Sequence, residues 1–226
     1  MRDERAYFYD TIADRFDEVS NPYDTQRRLE IVFDEMLGRD ALEGVSVLDV
    51  GCGSGRFTER AALRGARVTS LDIGIRLLEC TRRRSSTRPV AADACALPFR
   101  ADAFDLVISS ECIEHTRDPR RALAEIHRVT RRGGRFLVTV PNQRWHFAIT
   151  IANALKLRPF EGYENWVHWR DMKRALRELG AHVEEMQGFH LVPPIVSALQ
   201  PLLRRTDAYG QALGPVMLNM AVLARK

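Results

Sequence analysis

Residues 47–55 of the chain read Val-Leu-Asp-Val-Gly-Cys-Gly-Ser-Gly, an apolar run that passes directly into a turn with glycine at every second position. The run has the composition of a buried strand, and the residues from Arg56 onward suit a helix. Glycine lets the backbone adopt positive φ and pass close under a ligand, while a helix start offers unpaired N–H groups. The stretch therefore predicts a strand, a turn that binds a nucleotide-like ligand, and a helix.

The spacing of the glycines separates two classes of nucleotide-binding protein. A dinucleotide fingerprint G-x-G-x-x-G that starts at Gly51 requires glycine at position 56, where this chain has Arg56. A nicotinamide-dependent oxidoreductase is therefore disfavoured.

Around this stretch, short apolar runs alternate with amphipathic segments, a pattern typical of a mostly parallel sheet covered by helices on both faces. We predict an α/β, Rossmann-like fold with seven strands in one sheet. The strands are expected near 45–50, 67–72, 88–91, 104–109, 134–140, 182–188 and 216–224, and the helices near 55–64, 74–84, 119–131 and 169–179.

Composition and charge restrict the class of protein. Hydrophobic residues make up 45% of the 226 residues and charged residues 28%, which is ordinary for a soluble globular domain. The net charge is +4, and the basic residues lie between acidic ones through most of the chain. This distribution favours a solvated basic surface over a nucleic-acid site. The four cysteines lack metal-ligand spacing and favour a reducing cytoplasm. No apolar run reaches the roughly 18 to 20 residues that a membrane-spanning helix needs.

Two carboxylates follow later strands of the predicted sheet. Asp72 ends the second strand and is positioned to accept hydrogen bonds from both hydroxyls of a ribose, although it could also cap the next helix. Asp93 follows the third strand, where it could accept from an exocyclic adenine amine while Leu97 and Phe99 cover the ring. The glycine turn, Asp72 and Asp93 come at the ends of three successive predicted strands, and together they predict a nucleotide site.

As a set, these motifs resemble those of the class I S-adenosylmethionine-dependent methyltransferases over roughly residues 40–140. The segments that carry the resemblance are Leu48 to Gly55, Asp72, Asp93 to Phe99, Phe104 to Ser109 and Arg128 to Val138. Residues 130–134 read Thr-Arg-Arg-Gly-Gly where the family commonly has Leu-Lys-Pro-Gly-Gly, a departure that touches only a turn.

The resemblance implies a seven-stranded sheet whose last strand is antiparallel. It also implies that the methionine end of the cofactor lies over Asp49 and Gly51, the ribose on Asp72, and the adenine near Asp93 and Ala94. The cofactor-binding residues expected on this basis are Asp49, Gly51, Gly53, Gly55, Asp72, Ile73, Asp93, Ala94 and Ser109.

The segment after the fourth strand lies beside the reacting methyl group, because ligands bind at the carboxyl edge of such a sheet. The Asn/Asp-Pro-Pro-aromatic motif of family members that methylate nucleic-acid bases is absent there. The Glu-x-x-Glu-His pattern of Glu111, Glu114 and His115 instead resembles the O-methyltransferases of ubiquinone biosynthesis and a wider group of small-molecule enzymes. An imidazole that titrates near neutrality can deprotonate a hydroxyl acceptor, so His115 is the candidate base, with Glu114 and Glu111 as further catalytic candidates.

Two alternatives stay open for the same three residues. Glu111, Glu114 and His115 could together bind a divalent cation that acidifies the acceptor. Equally, Glu114 and His115 could cap the following helix or line the pocket without a chemical role.

The chain is expected to form a single methyltransferase domain over 1–226. Within it we predict a helical lid at 1–40, a cofactor-binding core at 41–140, and substrate-covering insertions at 141–168 and 189–214. Aromatic residues in these segments suggest a partly apolar or aromatic acceptor. The predicted substrate-binding residues are Tyr7, Trp145, His146, Trp166 and His168, and the apolar run 191–203, which ends at two arginines, leaves peripheral membrane contact open.

The sequence therefore predicts methyl transfer from S-adenosylmethionine to a small molecule, with a hydroxyl oxygen as the favoured acceptor. N- or C-methylation and a non-catalytic cofactor-binding protein remain alternatives. The sequence does not predict the oligomeric state.

Overall fold

The computed structural model describes residues 4–38, 42–147, 150, 162–194 and 200–226. The strands are β1 (Ser46–Val50), β2 (Arg67–Asp72), β3 (Arg88–Ala91), β4 (Phe104–Ser110), β5 (Thr130–Pro141), β6 (His182–Phe189) and β7 (Asn219–Arg225). The α-helices are α1 (Phe8–Thr11), α2 (Phe16–Val19), α3 (Pro22–Leu29), α4 (Arg56–Leu63), α5 (Ile75–Arg84), α6 (Pro119–Val129), α7 (Trp169–Glu178), α8 (Gln200–Asp207) and α9 (Gly210–Leu213). A π-helix spans Glu30–Met36, and 3₁₀ turns span Ala13–Arg15, Ile113–His115, Gln143–Trp145 and Gly214–Val216.

The seven strands form one sheet in the order β3-β2-β1-β4-β5-β7-β6. The pairs from β3 to β5 are parallel, and β7 runs antiparallel between β5 and β6. This arrangement confirms the predicted fold class, including the antiparallel last strand. The strand order reverses between β1 and β4, and ligands of such sheets bind at the carboxyl ends of the strands at this switch point.

Three element boundaries differ from the prediction by two residues or more. Helix α6 ends at Val129 rather than 131, because Thr130 is already extended and pairs with Phe104 of β4. Strand β5 therefore begins four residues earlier than predicted. Strand β7 begins at Asn219 rather than 216, since Gly214–Val216 form a 3₁₀ turn.

Alternating side chains of β1 divide the core into two layers. Leu48 and Val50 face the layer that contains the apolar residues of α6 and α7, while Val47 faces the opposite layer with Phe33 and Phe57. All three β1 side chains are fully buried. The glycine turn after β1 is thus anchored on both faces of the sheet.

The N-terminal segment contributes directly to this core. Helix α3 begins after Asn21, whose side chain accepts the N–H groups of Tyr23 and Asp24, and it continues into the π-helix Glu30–Met36. Ile31 and Phe33 of the π-helix are completely buried. Within the segment 1–40, predicted as a helical lid, residues 8–19 form the short helices α1 and α2 with a 3₁₀ turn between them.

Among the described residues, no helix is both long enough and apolar enough to cross a membrane. The predicted membrane-contacting run 191–203 lies partly outside the described residues, which omit 195–199. The same holds for the first insertion, of which 148–149 and 151–161 are omitted.

Candidate active site

A cleft with about 470 Å³ of empty space, open solvent included, lies at the carboxyl edge of the sheet. Its lining comes from the segments after β1, β2, β3 and β4, together with Ala6 of the N-terminal segment. The predicted site residues that line it are Gly51, Asp72, Ile73, Asp93, Ala94 and His115. Residues separated by more than sixty positions in sequence thus meet in one cleft.

The glycine turn packs closely against two other segments. Gly51 has φ 71°, and a Cβ there would overlap the Cys112 thiol from the segment after β4. Gly53 has φ 53°, and its Cβ would lie 3.1 Å from the ring of Phe16 in α2. Gly55 is the N-cap residue of α4. A side chain at Gly51 or Gly53 would therefore displace Cys112 or Phe16 as well as strain the backbone.

Asp72 joins the glycine turn to the segment after β2. Its carboxylate accepts the Gly53 N–H at 3.0 Å and the Gly74 N–H at 2.8 Å. Burial raises the pKa of Asp72 to about 6, although these two hydrogen bonds act in the opposite direction. The carboxylate remains part of the cleft wall, where hydrogen-bond donors of a ligand can reach it.

Asp49 faces helix α4 and is not among the residues that line the cleft. Its carboxylate accepts the Thr58 hydroxyl at 2.7 Å, and the Thr58 hydroxyl is also 2.7 Å from that of Ser70. Burial raises the pKa of Asp49 to about 7, with a smaller contribution from the negative charge of Asp72. The structure therefore places Asp49 beneath the turn, and direct contact with the cofactor stays a prediction.

Asp93 and Ser109 differ in their access to the cleft. Asp93 lines it, accepts the Cys95 N–H at 2.8 Å and lies 3.3 Å from the guanidinium of Arg117. Ser109 is fully buried in β4, and its hydroxyl has no hydrogen-bond partner among the described residues. A cofactor contact from Ser109 therefore stays a prediction, as does the contact from Gly55.

Glu111 and Glu114 form a buried pair of carboxyl groups after β4. Glu111 adopts φ 50°, an uncommon conformation for a side-chain-bearing residue, and accepts the Thr139 hydroxyl at 3.2 Å. The Glu114 side chain is 1% exposed, and neither carboxyl oxygen has a hydrogen-bond partner among the described residues. Burial raises the pKa of Glu111 to about 7 and that of Glu114 well above its usual value, the latter further raised by Glu111. Near pH 7, burial therefore favours the neutral form of Glu114, while Glu111 is close to its titration midpoint.

Arg28 of α3 was not predicted from the sequence, yet it is the cation that faces this pair. It donates to Asp24 at 2.9 Å and to the Ser110 hydroxyl at 3.0 Å, and its charge lowers the pKa of both Glu111 and Glu114. In the sequence, Arg28 reads as one half of an ordinary i,i+4 pair with Asp24 on a helix surface.

His115 is held at both ring nitrogens. Nδ1 lies 2.7 Å from the carbonyl oxygen of Tyr163, and Nε2 lies 3.3 Å from the Tyr9 hydroxyl. A carbonyl can only accept, so Nδ1 carries the proton of the neutral imidazole and Nε2 presents its lone pair. The ring also lines the cleft that contains Asp72 and the glycine turn. His115 therefore has the tautomer and the position of a general base.

The predicted divalent-cation site is not supported. Within the described part of the chain, no group of three or more His, Cys, Asp and Glu side chains is arranged to hold a metal ion. Glu111 is turned toward Thr139 and Arg28, while both ring nitrogens of His115 have other partners. Although the spacing of Glu111, Glu114 and His115 suggested a shared ligand, the backbone turn at Glu111 directs its carboxylate elsewhere.

The predicted substrate-binding residues lie in two parts of the chain, the N-terminal segment and the segment between β5 and α7. Trp145 donates to the Val216 carbonyl at 2.9 Å, and His146 packs edge-to-face on Trp166. His168 caps α7 by accepting the Arg170 N–H. Tyr7 lies in the N-terminal segment, one residue after the cleft-lining Ala6. Their contact with substrate stays a prediction. Tyr9, which reaches His115, was missed because nothing local distinguishes it from Tyr7.

Comparison with known proteins agrees with this arrangement. Residues 48–138 match the family described as "Methyltransferase domain". A demethylmenaquinone methyltransferase of Renibacterium salmoninarum is 36% identical over 140 residues, which cover 60% of this chain and 58% of that protein. A ubiquinone biosynthesis O-methyltransferase of Leptothrix cholodnii is 31% identical over 166 residues, covering 67% of this chain and 70% of that protein. The chain thus matches less than two thirds of the length of several curated relatives, the Renibacterium protein among them.

A solved structure extends the likeness of fold beyond the matched segment. The 1,6-didemethyltoxoflavin-N1-methyltransferase of Burkholderia thailandensis, crystallised with 1,6-didemethyltoxoflavin and S-adenosylhomocysteine, has a TM-score of 0.63 at 20% identity. The likeness covers 98% of this chain and 86% of that one. Taken together with the sequence matches, the sheet order and the glycine turn, these findings show that the chain belongs to the S-adenosylmethionine-dependent methyltransferases.

Proposed function

We propose that the protein transfers the methyl group of S-adenosylmethionine to the hydroxyl oxygen of a small, partly apolar or aromatic metabolite. The observation that carries this proposal is the position of His115, which lines the same cleft as Asp72 and Gly51 and whose Nε2 carries the lone pair of the neutral ring. The name of the Leptothrix relative, a ubiquinone biosynthesis O-methyltransferase, supports an oxygen acceptor.

The cleft residues fit the cofactor. Gly51 lines the cleft where the methionine part would pass, and Asp72 can exchange its two backbone hydrogen bonds for those of ribose hydroxyls. Asp93 and Ala94 line the end of the cleft suited to adenine. Bound S-adenosylmethionine supplies an electrophilic methyl group on a positively charged sulfur.

The chain's own residues would then prepare the acceptor. The Tyr163 carbonyl holds the Nδ1 proton of His115, so that Nε2 can take the proton of the acceptor hydroxyl as the oxygen attacks the methyl carbon. Burial favours the neutral form of the Glu114 carboxyl, which therefore places no fixed negative charge beside the reacting oxygen. Arg28 further offsets any charge on the pair.

A different acceptor atom has support from two relatives. The Renibacterium protein is a demethylmenaquinone methyltransferase, and the Burkholderia protein is named for methylation at N1. Transfer to carbon or nitrogen is therefore the second candidate. A cytoplasmic location and the absence of nucleic-acid partners remain our expectations from the sequence.

The test is a turnover assay with methyl-labelled S-adenosylmethionine and a panel of hydroxyarenes, aliphatic alcohols and aryl amines. We expect label in an O-methyl group, identified by the carbon chemical shift of the product, and loss of turnover in His115→Ala. Label in an N-methyl or C-methyl product alone would replace the first candidate with the second. Binding of S-adenosylhomocysteine without turnover of any acceptor in the panel would count against an enzyme of this substrate class.

A further inference from the structure

Tyr9 brings a phenol to the candidate base. Its hydroxyl lies 3.3 Å from Nε2 of His115, and the two rings meet edge-to-face with centroids 4.9 Å apart. Because Nδ1 of His115 bonds to the Tyr163 carbonyl, Nε2 of the neutral ring can only accept, and the Tyr9 hydroxyl donates. An acceptor hydroxyl must make the same contact before it can lose its proton to His115.

The Tyr9 ring also has an aromatic neighbour beside the glycine turn. Its other side packs edge-to-face on Phe16, with centroids 5.6 Å apart. Phe16 in turn covers Gly53 of the turn proposed to hold the methionine part of the cofactor. The phenol therefore lies between His115 and the Phe16 ring that covers the glycine turn. Both neighbours of the phenol are aromatic rings in edge-to-face contact, an environment that suits a planar ring.

We propose that the phenol of Tyr9 occupies the place of the acceptor's own aryl hydroxyl, so that the site takes hydroxylated arenes and admits them only when Tyr9 moves aside. This inference rests on the proposed function and narrows its substrate class. In the reaction, the aryl oxygen forms its bond to the methyl carbon as the carbon–sulfur bond breaks. The hydroxyl proton passes to Nε2 of His115, and the bonding pair stays on sulfur, which leaves the neutral thioether S-adenosylhomocysteine.

Residues 8–15 are held on α5 partly by contacts at exposed positions. Asp10 accepts the Arg76 N–H at 2.8 Å at an exposed position, and Asp14 pairs with the Arg76 guanidinium, where the two side chains are 72% and 47% exposed. Exposed ion pairs contribute about 0 to 1 kcal/mol each. Tyr9 lies outside α3 and the π-helix, which contribute most of the buried N-terminal residues, so a displacement of Tyr9 can leave these two elements in place.

The test measures binding of catechol to the full-length protein saturated with S-adenosylhomocysteine, by calorimetry. Tyr9→Phe keeps the ring and removes the hydroxyl that competes for His115. We expect catechol to bind Tyr9→Phe about 2- to 13-fold more tightly than wild type, the range for one net neutral hydrogen bond. The matched control is Tyr23→Phe, which removes a lid hydroxyl bonded to the Gln200 carbonyl at 3.1 Å and should bind catechol as wild type does.

A second probe separates the hydroxyl from the ring. 1,2-Dimethoxybenzene has no hydroxyl proton to donate to His115, so its affinity should not differ between wild type and Tyr9→Phe. Equal or weaker catechol binding in Tyr9→Phe, or no detectable catechol binding to either protein, would overturn the inference. A gain of the same size with 1,2-dimethoxybenzene would also overturn it, because the gain would then come from packing. These assays need no turnover, so the outcome is independent of whether the labelled-methyl assay finds an O-methyl product.

Discussion

The buried carboxyl of Asp49 makes the stability of the cofactor-free protein depend on pH in a way that one substitution should remove. Burial raises the pKa of Asp49 from 3.8 to about 7, so the folded protein holds this proton more tightly than the unfolded chain does. A raised acid pKa contributes stability at low pH that is lost as pH rises through the folded value. Between pH 5 and the folded pKa of about 7, wild type loses the stabilisation that corresponds to about two pKa units. At about 1.4 kcal/mol per unit, the free energy of unfolding falls by about 3 kcal/mol between pH 5 and pH 8.

Asp49→Asn keeps an oxygen that can accept the Thr58 hydroxyl but removes the ionisation. We measure the free energy of unfolding of the cofactor-free proteins in urea at pH 5, 6, 7 and 8. From pH 5 to pH 8, the difference between variant and wild type should shift by about 3 kcal/mol in favour of the variant. Asp171→Asn is the control, because its side chain is 44% exposed, and it should follow wild type within about 0.5 kcal/mol.

Parallel pH curves for wild type and Asp49→Asn would refute this account of the buried carboxyl. The pKa of Asp49 can also be measured directly in wild type, which avoids any change in packing caused by the substitution. Carbon NMR titration of the Asp49 carboxyl in the wild-type protein should give a midpoint near 7, and a midpoint below about 5 would show that the carboxyl is ionised in place.

Three further substitutions test the site. Asp72→Ala should weaken calorimetric binding of S-adenosylhomocysteine by about 1.5 to 3 kcal/mol, and a loss below about 0.5 kcal/mol would mean that another residue holds the ribose. Gly53→Val should abolish that binding while the circular dichroism of the sheet is retained, since the side chain would strain the turn and push against Phe16; unchanged affinity would contradict the proposed cofactor turn. His115→Ala should lower kcat by roughly 10²- to 10⁴-fold with S-adenosylhomocysteine affinity nearly unchanged, and EDTA should leave wild-type turnover unchanged; full activity in His115→Ala would make the residue structural.

Local signals were sufficient to predict that the glycine turn, Asp72 and Asp93 lie together at one edge of the sheet. The glycine turn, Asp72 and Asp93 each follow a strand that its own apolar run identifies, and parallel strands necessarily bring their carboxyl ends to one edge. The position of Asp49 was less certain, because one residue of strand register decides whether a side chain faces the cleft or the neighbouring helix. Here it faces Thr58.

The surroundings of His115 and of the Glu111–Glu114 pair depended on contacts between segments that are distant in sequence. Tyr9 and His115 are 106 residues apart, and Arg28 and Ser110 are 82 apart, so neither pairing has a periodic signal in the sequence. The metal-ligand interpretation failed for a related reason. Spacing alone placed Glu111 beside His115, whereas the left-handed backbone at Glu111 turns its side chain toward Thr139.

By itself, the sequence determined the sheet, its strand count and the glycine turn, because hydrophobic period and glycine spacing act over a few residues. Only the tertiary structure decided which proton His115 carries and which groups surround it. The Tyr163 carbonyl selects the tautomer, and Tyr9 and the N-terminal helices close over the lone pair that remains. These choices follow from packing between segments far apart in the chain, where the free energy of each contact depends on the whole fold rather than on its neighbours in sequence.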